Sequence, residues 1–462
     1  MEKNLKLNKN IKAPLVTVYI TNHNYGEYIN KAIKSVFEQS LKNFELIIID
    51  DGSKDKSKKI IDKHKDNKKI TTIFQKNKGL IVSNNLALRL AKGKYILRLD
   101  ADDWLDPHAL EIMSSILEKN SKIGLVFPDY YIVNKNGEII ESVRRHNFKK
   151  VKLFDQPAHG ACTMIRKDKL IDIGGYDEEF SCQDGYYLWL QFIKRYLVRN
   201  VNLPLFYYRQ HKASLSKNTN KILSNRSKII KKFINNSKKK YSSRSVLAII
   251  PIRGLKIDPD SLVFEKIKKI PLIYYTINNL TKCADIKKII ITSPDKDILA
   301  TLKKKYKSNK KLILMKRTKS FARINTEKIK TFKYVLKNKT IRKIKHDYIL
   351  DMSINTPYLS QSNIETAINA LQIFKADKVI TVVQETHRYF KHDGAGLRSI
   401  IKNSNLKLER DAIFKQIIGF NLYKKNKFFI NDKSLKISHI ILSNKESLEV
   451  NTNEDIKILN NI

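Results

Sequence analysis

The chain has 462 residues, enough for two or three domains of roughly 100–200 residues each. Hydrophobic residues make up 42% and aromatics 9%, which excludes a disordered chain. Lys and Arg number 90 against 45 Asp and Glu, a net charge of +45. That excess either marks a polyanionic partner, such as an anionic membrane surface, or reflects a Lys-rich composition spread over every helix face.

No run approaches the ~18 apolar residues that span a bilayer. The basic start, 1–13, reads as an extension without an apolar stretch, so no signal peptide is expected. The cysteines are Cys162, Cys182 and Cys283, an odd set without a Cys-X-X-Cys pair. A disulfide framework or a structural zinc site is therefore not expected, and a cytoplasmic location is.

Strands are predicted at 15–20, 44–49, 70–74, 95–99 and 124–133. Between the first two, Ile29, Ala32, Ile33, Val36 and Phe37 fall on one stripe of a 3.6-residue period. Alternation of this kind predicts an α/β fold with a mainly parallel sheet covered on both faces. A Lys/Ser/Asn-rich stretch at 221–244 reads as a linker helix. A second α/β alternation follows over 245–462, with strands predicted at 246–250, 288–292, 311–315, 348–350 and 378–383. Its helices are predicted at 272–280, 296–306, 326–336 and 363–374. The fold class is thus two Rossmann-like α/β domains.

Ligands of such sheets bind at the carboxyl ends of the strands. The second strand runs into Asp50-Asp51-Gly52-Ser53, and the fourth into Asp100-Ala101-Asp102-Asp103. Carboxylates gathered at one sheet edge repel unless they meet cations or hydrogen-bond donors. Mg²⁺ and Mn²⁺ favour such oxygen ligands and keep diphosphate oxygens in their shell. Helix capping is the plainer role, expected for Ser53 at 54–64 and for Asp106 at 107–119. It leaves Asp100, Asp102 and Asp103 unexplained.

Residues 14–220 resemble glycosyltransferase family 2, which has the GT-A fold. The resemblance rests on an ordered series of segments. These are Thr21-Asn22-His23-Asn24-Tyr25, Asp50-Asp51-Gly52-Ser53, Asn77-Lys78-Gly79, Asn85 and the Asp-X-Asp turn. Gly174-Gly175-Tyr176-Asp177, Gln183-Asp184 and Tyr207-Tyr208-Arg209-Gln210-His211 follow. It implies a nucleoside-diphosphate sugar donor and a glycan or lipid-linked glycan acceptor. Thr21 and Asp51 would contact the nucleobase and Asp100 the ribose, with Asn24, Tyr25 and Lys78 lining the donor site. Asp102, Asp103 and His211 would hold Mn²⁺ or Mg²⁺, and Asp184 would be the general base. The family often has Glu-Asp where this chain has Gln183-Asp184. No Gln-X-X-Arg-Trp segment occurs, so a long homopolymer is not expected.

Residues 245–462 resemble, more faintly, the cytidylyltransferases that activate acidic sugars as CMP derivatives. Ile249-Ile250-Pro251-Ile252-Arg253-Gly254 and Glu449-Val450-Asn451-Thr452-Asn453-Glu454-Asp455 carry that resemblance. Leu255 stands where a second Gly is usual, and Glu449 and Asn451 stand where two aspartates bind metal. The expectation is a retained fold without full activity. Gly394-Ala395-Gly396 follows no predicted strand and carries no weight. The function expected is inverting, metal-dependent sugar transfer in lipopolysaccharide or capsule synthesis. The alternatives are a bifunctional or mainly nucleotidyltransferase enzyme, or a docking module in the second half. A nucleic-acid partner is not expected, for want of a basic face interleaved with aromatics.

Overall fold

The computed structural model describes residues 13–461 except 146, 149, 181–182, 212–218, 238–243, 255–256, 324, 386–389, 393–396 and 400–412. The chain divides into two compact units, residues 1–218 with 388–411, and residues 219–387 with 412–462.

In the first unit the elements run β1 (Val16–Asn22), α1 (Ile29–Phe37), β2 (Phe44–Asp51), α2 (Ser57–Asp62), β3 (Ile70–Gln75), α3 (Leu80–Leu90), β4 (Tyr95–Asp100) and β5 (Trp104–Leu105). They continue with α4 (Ala109–Lys119), β6 (Ile123–Val133), β7 (Ile139–Val143), β8 (Met164–Arg166), α5 (Lys167–Asp172), α6 (Asp184–Arg195) and β9 (Leu197–Arg209). The strand order is β3-β2-β1-β4-β8-β6-β9-β5, with β7 on β6. Neighbours are parallel from β3 through β4. The sheet then becomes mixed, because β8 runs antiparallel to both β4 and β6.

The predicted helix stripe packs inward. Ile29, Ala32, Ile33 and Val36 are buried in one cluster with Val18, Ile20, Leu46 and Ile48 from β1 and β2. Full burial of each such aliphatic side chain contributes about 1.5–3 kcal/mol. Because β1 is flanked on both sides by parallel strands, the ends align: Thr21 pairs with Ile49 on one side and Asp100 on the other. Both acidic turns therefore emerge at one edge.

The two expected caps are corrected. Helix α2 begins only at Ser57, and Ser53 instead binds Asn22, the Asn24 N–H and Asp50. Helix α4 begins at Ala109, one residue after His108, whose N–H donates to Asp106 Oδ1 (2.9 Å) in the preceding turn.

The second unit contains α7 (Thr219–Asn235), β10 (Val246–Pro251), β11 (Lys266–Ile267), β12 (Ile270–Pro271), α8 (Leu272–Lys282), β13 (Ile286–Ser293), α9 (Lys296–Lys305), β14 (Leu312–Lys316) and α10 (Lys328–Lys337). Then come α11 (Lys339–Arg342), β15 (Tyr348–Met352), α12 (Gln361–Ile373) and β16 (Lys378–Glu385). A ribbon of β17 (Phe390–His392) and β18 (Leu397–Ser399) lies in the 388–411 stretch. The unit closes with β19 (Ile413–Lys424), β20 (Ile437–Ile441) and α13 (Asn453–Asn461). Its sheet order is β14-β13-β10-β15-β19-β16-β20, parallel except where β19 meets β15 and β16.

The stretch expected to be a linker is mostly α7, which belongs to the second unit. Its Ile229, Ile230, Phe233 and Ile234 are buried, and Ser227 Oγ lies 2.9 Å from Ser362 Oγ and 2.8 Å from Thr366 Oγ1 of α12. Leu255 and Gly394-Ala395-Gly396 lie outside the described residues.

Candidate active site

The edge where β1, β2 and β4 end carries three connected groups. The first is built on Asp51. Its carboxylate accepts from Gln75 Nε2 and the Lys78 N–H on Oδ1, and from the Gly79 N–H on Oδ2, each at 2.8 Å. Asp51 thereby shapes the turn into α3, while the Lys78 side chain is exposed. Thr21 is buried beside it at the end of β1. Asn24 takes a left-handed backbone (φ 60°) and accepts the Lys54 N–H on Oδ1 (2.8 Å), which ties the turn after β1 to the turn after β2.

The second group joins the Asp-X-Asp turn to the end of β9. Arg209 lies buried and donates from Nε to the Asp102 carbonyl (2.9 Å), while its N–H donates to Asp103 Oδ1 (2.8 Å). This stapling brings His211 Nε2 to 3.0 Å from Asp102 Oδ2. The Tyr25 ring lies 5.4 Å from that of His211, and burial with the charges of Asp102 and Asp100 pushes its phenol up.

Burial and Asp100 also push the Asp102 carboxyl up, against the His211 contact. Asp103 is pushed well up by burial and by Asp102 and Asp100. Three carboxylates on one turn are thus in like-charge conflict, which a hard divalent cation relieves. A Mn²⁺ or Mg²⁺ ion fits the oxygen-rich donors present. Asp103 is 1% exposed; its Oδ1 accepts the Arg209 N–H, while its buried Oδ2 has no hydrogen-bond partner. Among the described residues no group of three His, Cys, Asp or Glu gathers to hold a metal. Mg²⁺ in particular is commonly held by one or two carboxylates plus substrate phosphates.

The third group centres on Arg98, which the sequence reading passed over. It is 6% exposed in the middle of β4, on the same face as Asp100. Its Nη1 donates to Asp184 Oδ2 (2.6 Å), and its Nε lies 2.9 Å from Asp100 Oδ1. Burial alone would lower the guanidinium, but Asp100 and Asp184 outweigh it and hold it firmly protonated. Asn84 Nδ2 of α3 donates to the same Asp184 oxygen (3.0 Å).

Asp184 opens α6 after Gln183, whose left-handed backbone (φ 64°) turns the chain into the helix. A helix start is a favourable place for a carboxylate. Gly160 makes room for Arg98, since a Cβ there would lie 2.9 Å from Nη2. Asn85, next to Asn84, clamps the Gly-Gly-Tyr-Asp segment through both the N–H (2.9 Å) and the carbonyl (2.8 Å) of Tyr176.

The second unit has its own cavity, about 440 Å³, at the carboxyl ends of β10 and β15. Arg253, Arg317, Arg323 and Lys328 line it, with Asp258 and Asp260. Arg317 is 4% exposed, and burial with neighbouring Arg253 pushes it down to about 10. Glu449 Oε1 accepts the Ile418 N–H (2.6 Å). Asn451 Oδ1 accepts from Asn355 Nδ2 (3.1 Å).

Residues 17–174 match the family described as Glycosyl transferase family 2. An uncharacterized glycosyltransferase of Methanocaldococcus jannaschii is 33% identical over 188 residues, covering 39% of this chain and 65% of the relative. The UDP-Glc:alpha-D-GlcNAc-diphosphoundecaprenol beta-1,3-glucosyltransferase WfgD of Escherichia coli is 27% identical over 224 residues, covering 48% of this chain and 87% of that protein. Among solved structures, S. aureus TarS 1–349 in complex with UDP-GlcNAc is similar at a TM-score of 0.41 and 16% identity, over 48% of this chain and 66% of that one. The chain thus spans less than two-thirds of several relatives it matches, 65% of the M. jannaschii protein and 61% of a Rickettsia prowazekii glycosyltransferase.

Proposed function

We propose that the first unit is an inverting glycosyltransferase that moves a sugar from a nucleoside-diphosphate donor to a hydroxyl of a growing surface polysaccharide. The observation that carries this is the convergence of Asp51, Asp100, Asp102 and Asp184 at one sheet edge, within a family 2 domain. Thr21 and Asp51 would meet the nucleobase and Asp100 the ribose, with Asn24, Tyr25 and Lys78 around the donor. Asp102, Asp103 and His211 would hold Mn²⁺ or Mg²⁺, and the chemistry such an ion would supply is neutralisation of the charge on the diphosphate. Asp184 takes the proton of the acceptor hydroxyl as that oxygen attacks the anomeric carbon and the bond to the diphosphate breaks. One displacement inverts that carbon.

The E. coli relative is named for a lipid-diphosphate acceptor, which supports a lipid-linked glycan here. The stereochemistry is read by proton NMR during slow donor hydrolysis. The first-formed sugar carries the anomeric configuration opposite to that of the donor; retention overturns the mechanism.

A cytoplasmic enzyme attached reversibly to the inner membrane face fits this role. No helix among the described residues is long and apolar enough to cross a membrane, and the net charge of +45 favours an anionic surface. Each Lys or Arg near that surface contributes about 1 kcal/mol, which salt screens. The protein should sediment with anionic vesicles at low salt and leave them at high salt. A protein that stays in the supernatant at low salt contradicts the attachment.

A second reading concerns the second unit, because its cationic cavity lies at strand ends where nucleotides bind in such folds. Glu449 Oε1 is engaged by backbone and Asn451 is uncharged, so the two positions that resemble metal-binding aspartates offer at most one carboxylate between them. The expected outcome is little or no pyrophosphate release when the full chain is incubated with CTP, Mg²⁺ and an acidic sugar. Release at ~1–10³ per second, as enzymes show, would make the chain bifunctional.

A further inference from the structure

We propose that Arg98 is a positioning residue that orients the Asp184 carboxylate and couples it to Asp100. This rests on the assignment of Asp184 as the base. Arg98 sits opposite Tyr19 in the β1–β4 register, and Leu97 and Leu99 on either side point into the core. A lone guanidinium at this depth would cost far more than a strand position could return. It is held because two acids meet it, one from the end of β4 and one from the start of α6. A purely structural ion pair needs one acid. Here one guanidinium spans the two carboxylates expected at the donor and at the acceptor.

The groups facing Asp184 come from several elements. Arg98 is on β4, Tyr19 on β1, and Tyr176 and His159 on the connecting segments. Tyr19 and Tyr176 are themselves hydroxyl-paired (3.1 Å), and burial pushes both phenols up, so they stay neutral. Burial and Arg98 push the His159 ring down to about 4, so it is neutral at physiological pH. Arg98 is therefore the cation of this set at neutral pH. Removing it should leave the Asp184 carboxylate without its orienting partner, so the loss should fall on kcat and not on donor KM.

The experiment compares full-length wild type, Arg98→Lys, Arg98→Met and Asp184→Asn on a donor that wild type turns over, reading kcat and donor KM. In Arg98→Met, kcat should fall by about 10- to 100-fold with donor KM nearly unchanged. Arg98→Lys keeps the charge without the two-pronged geometry, so its kcat should be intermediate. In an Asp184→Asn background, Arg98→Met should cost little further. A folded Arg98→Met with wild-type kcat overturns the proposal. If that variant does not fold, Arg98→Lys with undiminished kcat overturns it equally. Should Asp184→Asn alone retain wild-type turnover, the assignment of the base fails instead, whatever Arg98 does.

Discussion

Replacing Asp184 by asparagine should lower turnover by about 10²–10⁴-fold, the usual contribution of a positioned base. The amide matches the carboxylate in size and can keep the Asn84 and Arg98 contacts through its oxygen, since both fall on a single oxygen, Oδ2. It cannot take a proton. Donor affinity should stay within a few-fold, because the expected nucleotide contacts lie on β1, β2 and β4, away from α6. Loss confined to kcat marks an interaction made in the transition state. If donor affinity fell in step with turnover, Asp184 would be a cap and an anchor for Arg98, not the base.

The second large effect concerns the metal. Chelation should abolish transfer, and added Mn²⁺ or Mg²⁺ should restore it. Asp102→Ala should lose about 10³-fold or more, corresponding to the several kcal/mol of charge stabilisation a metal supplies at a departing diphosphate. The alanine also removes one of the like charges on the turn, so the fold should tolerate it. Unchanged melting with lost activity is the expected pair of results. Full activity of Asp102→Ala in excess chelator would exclude a metal at this turn.

Much of this site was legible because chemistry followed apolar strands directly. Asp51 and Asp100 close runs of buried Ile and Leu, and parallel pairing forces such ends to one edge. Arg98 was not legible for the converse reason. A charge inside a strand signals an exposed face, and only the approach of α6, more than eighty residues later, shows what compensates it. Spacing cannot tell which way the Asp103 carboxylate turns; the Arg209 N–H fixes its Oδ1. The role of Arg209 is not legible in its motif, since a contact to the backbone of Asp102 leaves no trace in residue type.

In the fold, most strands with parallel neighbours stood out as apolar runs, whereas β20, parallel to β16, did not. Strand β8 has three residues, too few for any period. Strand β9 carries Pro204 and outward polar residues along its 13 positions, and β19 holds Gly419 where a Cβ would meet Leu359 Cδ1 at 2.6 Å. Both are antiparallel to at least one neighbour, and their mixed patterns hid them. Helix α7 read as a linker because its exposed face is rich in Lys and Asn, whereas its buried Ile229, Ile230, Phe233 and Ile234 place it in the second unit.

The most direct test is release of nucleoside diphosphate by the full-length protein across a panel of UDP-, GDP- and dTDP-sugars, with and without Mn²⁺. Metal-dependent release from at least one donor, lost in Asp102→Ala, is the result expected of a nucleotide-sugar transferase. Protein that melts cooperatively yet neither binds nor cleaves any donor of the panel in the presence of the ion would contradict it.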